Sequence, residues 1–243
     1  ELGNLIDPRN KEMVNLFIDL WDGRKQLVKE TKMSGNDIVD GPWINMLGCT
    51  TPHWIADNMP STTVGGGFTS RCIFVYADKK ERFIAFPKYN FPTDTDQIRA
   101  DLVHDLEYIA TNLVGEYEPD EKGRAWVEAW YKQLWTVKPA HLDDDRLEGY
   151  IARRQTHLMK VSMIIAASQR DELVLLEEDF ILADQMLQSI EGEIDKVFSR
   201  IGRTEDSLQA ERFIQFVQKK GAAGVRYQDA YKSIHAYFPD FRD

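Results

Sequence analysis

Residues 144 to 169 read DDRLEGYIARRQTHLMKVSMIIAASQ, and their spacing sets the class of the molecule. Leu147, Ile151, Leu158, Val161, Ile164 and Ile165 recur at the intervals that place side chains on one face of an α-helix. Asp143, Asp144 and Asp145 stand just ahead of that stripe, where carboxylates cap free N–H groups and favour the positive end of the helix dipole. Beside His141 they offer a weak metal pattern, and capping explains them better. Leu158 to Ser168 is the most apolar run of the chain, yet it contains Lys160 and is far shorter than the ~20 residues of a membrane span. The stretch predicts a long helix in the core of a globular protein, with no membrane partner.

Outward from this helix, the same periodicity predicts helices over roughly 96 to 115, 119 to 136 and 177 to 200. Trp126, Trp130, Tyr131 and Trp135 sit at helical spacing and read as packing surface. Beyond residue 206, a helix, a glycine-rich turn at Gly221 to Val225 and a second helix suggest a helix-turn-helix or winged-helix-like module. Ahead of residue 92 the character is different. Asp7-Pro8 begins a helix that Gly23 ends, and Gln26 to Lys32 and Asp37 to Asp40 flank Ser34-Gly35-Asn36, a turn composition that predicts a β-hairpin. Trp43 to Cys49 reads as a buried strand, and Thr50-Thr51-Pro52 as the cap and first turn of a short helix over 53 to 58. Arg71 to Tyr76 and Phe83 to Phe86 read as two further strands. The expected fold is therefore α/β, with units at 1–91, 92–205 and 206–243.

Composition narrows the functional classes. The chain has 243 residues, 43% of them hydrophobic, with 30 Lys+Arg against 40 Asp+Glu. A chain of this size buries about three quarters of its unfolded surface and needs no disulfide or metal to hold it. Cys49 and Cys72 belong to no paired or zinc-like pattern, which suits a reducing, cytoplasmic compartment. The net charge of −10 argues against general coating of nucleic acid, although basic groups can still be confined to one face. The chain opens on Glu1 without an initiator Met or an apolar leader, and reads as part of a longer protein. It contains no Gly-Lys dipeptide, hence no GxxxxGK(S/T) phosphate loop, and HExxH, GxSxG and GxGxxG are absent too.

What remains is an ordered pattern: an acidic first residue, a lysine-bearing hairpin, then Gly48-Cys49-Thr50-Thr51-Pro52, then Gly65-Gly66-Gly67-Phe68-Thr69-Ser70-Arg71. This order resembles the second half of the ATPase core of phage and prophage replicative helicases, in particular primase-helicases with a RecA-like or AAA+-like P-loop core. The resemblance covers Glu1 to about Tyr76, extends loosely to Tyr150-Ile151-Ala152-Arg153-Arg154, and fades in the last fifty residues. It implies an ATP-dependent DNA motor lacking its P-loop half, with ATP and Mg2+ bound only when that half is present.

The resemblance also implies roles. Glu1 would end the Walker B element, and Thr50 or Thr51 would sense the γ-phosphate. Arg71 would be an arginine finger reaching a neighbouring subunit's nucleotide in a homo-oligomeric ring, and Arg153 or Arg154 a second sensor. Lys29 and Lys32 of the hairpin would grip the backbone of single-stranded DNA. Each role has a plainer competitor: a solvated terminus for Glu1, an N-cap for Thr51, an edge charge for Arg71, and solvated surface for Arg153, Arg154 and the lysines. The alternative function is a replication module that binds DNA or protein without hydrolysing ATP. A metal-dependent nuclease ranks last, because no spaced set of carboxylates and histidines supports it.

Overall fold

The computed structural model describes residues 11–23, 26–31, 35–59 and 67–198, with short stretches at 213–214, 216–220, 224–226, 228–229 and 232. The fold is mixed α/β and mostly helical, with two small open sheets. Helix α1 (Lys11–Trp21) leads into β1 (Gln26–Thr31) and β2 (Gly35–Asp40), followed by α2 (Pro52–Asn58) and α3 (Thr95–Asn112). Then come β3 (Glu118–Pro119), α4 (Glu121–Thr136), α5 (Glu148–Gln169), β4 (Val174–Leu175), α6 (Glu177–Glu191) and α7 (Ile194–Phe198).

The expected hairpin forms, but Gly35 and Asn36, expected in its turn, belong to β2: β1 and β2 pair antiparallel from Gln26 opposite Asp40 to Thr31 opposite Gly35. The short helix also begins where its cap places it, with Thr51 Oγ1 accepting from the Trp54 N–H at 3.2 Å and Pro52 in the first turn. The stretch 144 to 169 begins with a 3-10 turn over Asp145–Leu147, capped by the Asp144 carboxylate on the Arg146 N–H at 2.8 Å, before α5 itself. The helix expected over 177 to 200 is instead two, α6 and α7, parted after Glu191.

Three expected strands are not strands. Residues 42–50 and 72–78 carry no ladder pairing, Phe83 to Phe86 have none either, and Thr69–Arg71 is a 3-10 turn. Trp43 to Cys49 is also not buried, Leu47 being 96% exposed, and Phe83 is 90% exposed. The physical reason is that β-propensity describes a side chain suited to a pleated, half-buried surface and does not supply the neighbouring strand that makes a ladder. Among the described residues no such neighbour is present for these runs, so the expected P-loop-type sheet does not appear in them. The helix-turn-helix expected over 206–243 lies mostly outside the described residues.

Two apolar cores share one spine. The first gathers Ile55, Met59 and Phe68 with Leu134, Leu142, Leu147, Tyr150, Ile151, Ile194, Val197 and Phe198. The second gathers Val127, Leu158, Ile165, Ala166, Leu175, Phe180, Ala183 and Leu187. Helix α5 gives Tyr150 and Ile151 to the first and Leu158, Ile165 and Ala166 to the second, so most of its predicted stripe is core, while Ile164 is exposed. The spine thereby fixes the positions of the polar residues between its apolar ones.

Candidate functional site

Arg153 and Arg154 are neighbours on α5 and point to different environments. A step of one residue rotates a helix by about 100°, enough to take one guanidinium into the core and leave the other at the surface. Arg154 is buried, with Nε 2.8 Å from Glu191 Oε1, Nη2 2.9 Å from Glu191 Oε2 and Nη1 3.0 Å from Asp184 Oδ1. The Tyr150 hydroxyl donates to Glu191 at 2.9 Å, the Trp130 indole N–H to Asp184 at 2.9 Å and the Gln188 amide to Asp184 at 2.6 Å. Burial works against the charge on Arg154, but its hydrogen bonds to Glu191 and the two carboxylate charges outweigh that and raise its pKa. The Tyr150 phenol is pushed well above its ordinary value by burial and by the Glu191 carboxylate. This network joins α4, α5 and α6, and Arg154 is committed to it.

Arg153 meets a different carboxylate. Asp22, just past the end of α1, accepts Arg71 Nη2 at 2.7 Å and Arg71 Nε at 3.1 Å, while Arg153 Nη1 lies 3.7 Å from its Oδ1. Both guanidiniums flank the Trp21 ring, at 5.5 Å for Arg71 and 5.7 Å for Arg153 from its centroid. Lys160, two turns along α5 from Arg153, places Nζ 3.6 Å from the same centroid and donates to the Trp21 carbonyl at 3.1 Å. Burial lowers the Lys160 pKa and the Arg71 charge adds to that, with Asp22 opposing. Three cations thus converge around one indole, with Asp22 bridging two of them.

Local geometry explains how Arg71 arrives there. Its Nη1 donates to the Gly67 carbonyl at 2.7 Å, and a Cβ on Gly67 would stand 3.2 Å from that nitrogen and 3.0 Å from Ile18. A side chain there would crowd the arginine, so the glycine serves its placement. His157 fastens the same turn to the spine: its Nε2–H donates to the Ser70 carbonyl at 3.0 Å, and its ring stacks on Tyr150 and meets Trp21 edge-on. Burial lowers the His157 pKa, so the ring is held neutral. On the other side, Gly23 has φ +68°, and the Trp43 ring fills the space where its Cβ would be.

Of the residues picked from sequence, Arg71 and Arg153 are brought together and Arg154 is turned away from them. Thr50 is exposed, and the Thr51 hydroxyl is used as a helix cap. Lys29 stands in β1 opposite Asp37, and Glu1 and Lys32 lie outside the described residues. Sequence reasoning missed Trp21, Asp22 and Lys160. The interval of seven from Arg153 to Lys160 marks a shared helical face and was the one signal available. Among the described residues no group of three or more His, Cys, Asp or Glu is placed to hold a metal ion, and no helix is long and apolar enough to cross a membrane. Comparison with protein-family models, with curated proteins and with solved structures finds no match for this chain.

Proposed function

We propose that this chain is the C-terminal portion of an ATP-dependent, helicase-type motor of phage DNA replication, in which Arg71 and Arg153 face the phosphoryl group being transferred. The observation that carries this reading is the meeting of Arg71, from the turn after the glycine run, with Arg153, from α5, at a single carboxylate over Trp21. Phosphoryl transfer spreads negative charge over the equatorial oxygens, and a guanidinium placed against them stabilises the transition state more than the ground state. Arg71 holds both oxygens in the bidentate geometry suited to that task, and Arg153 stands 3.7 Å from one of them, which supports the reading. Arg154 has a positioning role here, since its buried pairing with Glu191 and Asp184 fixes the helix that presents Arg153.

The described residues do not fit a nucleotide–magnesium complex by themselves: they offer no phosphate loop and no cluster of metal-holding carboxylates. ATP and Mg2+ are therefore assigned to another segment or subunit, and the chain's own part is charge stabilisation by arginine. A ring of subunits and the grip of Lys29 and Lys32 on single-stranded DNA belong to the same proposal.

The test is Arg71→Ala in the complete gene product. DNA-stimulated ATP turnover is expected to fall by roughly a thousandfold or more, with nucleotide binding retained, because a finger acts in the transition state. Full turnover in that variant overturns the motor reading. DNA binding that persists in a protein without any stimulated turnover supports the non-hydrolytic module instead.

A further inference from the structure

We propose that Arg71, Arg153 and Lys160 form a binding site for a phosphate-type oxyanion, and that Asp22 fills this site as an internal stand-in. The inference deepens the reading of Arg71 and Arg153 as phosphate-facing groups and rests on it. Asp22 engages Arg71 through both carboxylate oxygens, the fork-on-fork pairing that a phosphoryl group also makes. Its second partner, Arg153, is farther off at 3.7 Å, so two oxygens do not satisfy both guanidiniums equally. A tetrahedral oxyanion brings additional acceptors to the same place.

Charge and position point the same way. Three cations surround Trp21, and the carboxylate bridging the two arginines carries one charge. Asp22 also stands at the C-terminal end of α1, where the helix dipole disfavours negative charge, so the arginines must outweigh that cost. Access is open: the side chains of Asp22 and Arg153 are 37% and 33% exposed, whereas that of Arg71 is 8% exposed and anchored to the Gly67 carbonyl. A ligand therefore meets a fixed guanidinium from the side on which Asp22 enters. Trp21 walls one side of the site, its ring within about 6 Å of all three cations.

The experiment compares the full chain with its Asp22→Asn variant by calorimetric titration with inorganic pyrophosphate at low salt. Removing the competing charge is expected to tighten pyrophosphate binding about tenfold, the equivalent of one charge-assisted hydrogen bond regained. Arg71→Ala with Arg153→Ala, added to Asp22→Asn, is expected to erase the gain. Asp22→Ser is run beside Asp22→Asn, and both are melted with and without pyrophosphate; a stability loss that pyrophosphate restores also supports the site. A parallel titration with a single-stranded thymidine oligonucleotide distinguishes sources: an Arg71- and Arg153-dependent gain only there assigns the anion to a nucleic-acid backbone, and a gain with pyrophosphate to a nucleotide or free phosphate. Equal affinities for the wild-type chain and both Asp22 variants with either probe overturn the proposal, as does a gain that survives loss of both arginines. If these gains fail while Arg71→Ala still abolishes turnover, only the stand-in role of Asp22 falls. If they appear while turnover is untouched, the anion site stands without the motor.

Discussion

Helices α3 and α5 are of similar length and both carry apolar residues at helical spacing, yet no residue of α3 is buried while α5 threads two cores. Ile98, Leu102 and Leu106 of α3 lie one turn apart and all are exposed; Ile151, Leu158 and Ile165 of α5 are all buried. The same contrast separates residues 72 to 91 from residues 117 to 198. Cys72, Phe74 and Tyr76 pack on the first core while Ile73 and Val75 between them point outward, the side-chain alternation of a strand without its ladder. Amphipathic patterning is a property of a segment, whereas burial is a property of the segment with its neighbours. Arg153 and Lys160 stand on the better-packed side, on the helix whose other faces are buried in both cores.

The sharpest way to break the contrast is to unpair the α5 network. Arg154→Ala leaves the Glu191 and Asp184 carboxylates without their guanidinium in a buried setting. Loss of one partner from such a pair is expected to cost about 3–5 kcal/mol, measured by denaturant unfolding of the full chain. A cost below about 1 kcal/mol would mean that Arg154 is solvated, which would return it to the list of phosphate sensors.

A smaller effect is expected from His157, which pins the Arg71 turn to α5. Its folded pKa lies below the unfolded value of ~6.5 because burial penalises the imidazolium. The unfolded chain therefore takes up a proton on this group as pH falls through ~6.5 and the native chain does not. The contribution to stability is complete above that pH and is lost progressively below it, until the lower folded pKa is reached. His157→Gln retains an N–H donor for the Ser70 carbonyl but removes the titration. Stability of the variant, followed by urea unfolding between pH 7 and 5, is expected to vary less with pH than that of the wild type. Parallel pH profiles would show that His157 is not held neutral.

Much of this architecture was legible in the residues. Thr51-Pro52 marked a helix start, Ser34-Gly35-Asn36 a hairpin though Gly35 and Asn36 joined the strand, and the α5 stripe its buried face, because each is decided within a few positions of itself. The site was legible only in part. Arg71 stood out through its glycines, but Arg153 and Arg154 were picked only as a pair, and nothing near Arg154 sets it apart from any arginine on a polar helix face. Its burial is decided by Glu191, 37 residues away, and by Asp184. Trp21 and Lys160 meet across 139 residues. Contacts of that span leave no local trace, since what brings them together is the packing of α1 and the 69–71 turn onto the spine. The three false strands fail for the mirror reason: their local signal is strong, and pairing depends on a partner that the signal does not contain.

The smallest effect sharpens the opening contrast most. Leu106 lies on the apolar face of α3, yet it is exposed, so its side chain gives up little on truncation. Leu106→Ala also exchanges one good helix former for a better one, which leaves propensity slightly favourable. The expected change in unfolding free energy of the full chain is within about 0.5 kcal/mol, the ordinary range for a surface position. A loss of ~2–5 kcal/mol, the range for leucine truncation in a packed core, would show that this face is covered in solution. Because a cover supplied by a second copy of the chain depends on mass action, repeating the measurement at several chain concentrations identifies it: an α3 covered by another copy gives a midpoint that rises with concentration, and an α3 exposed or covered within its own chain gives a midpoint that does not move.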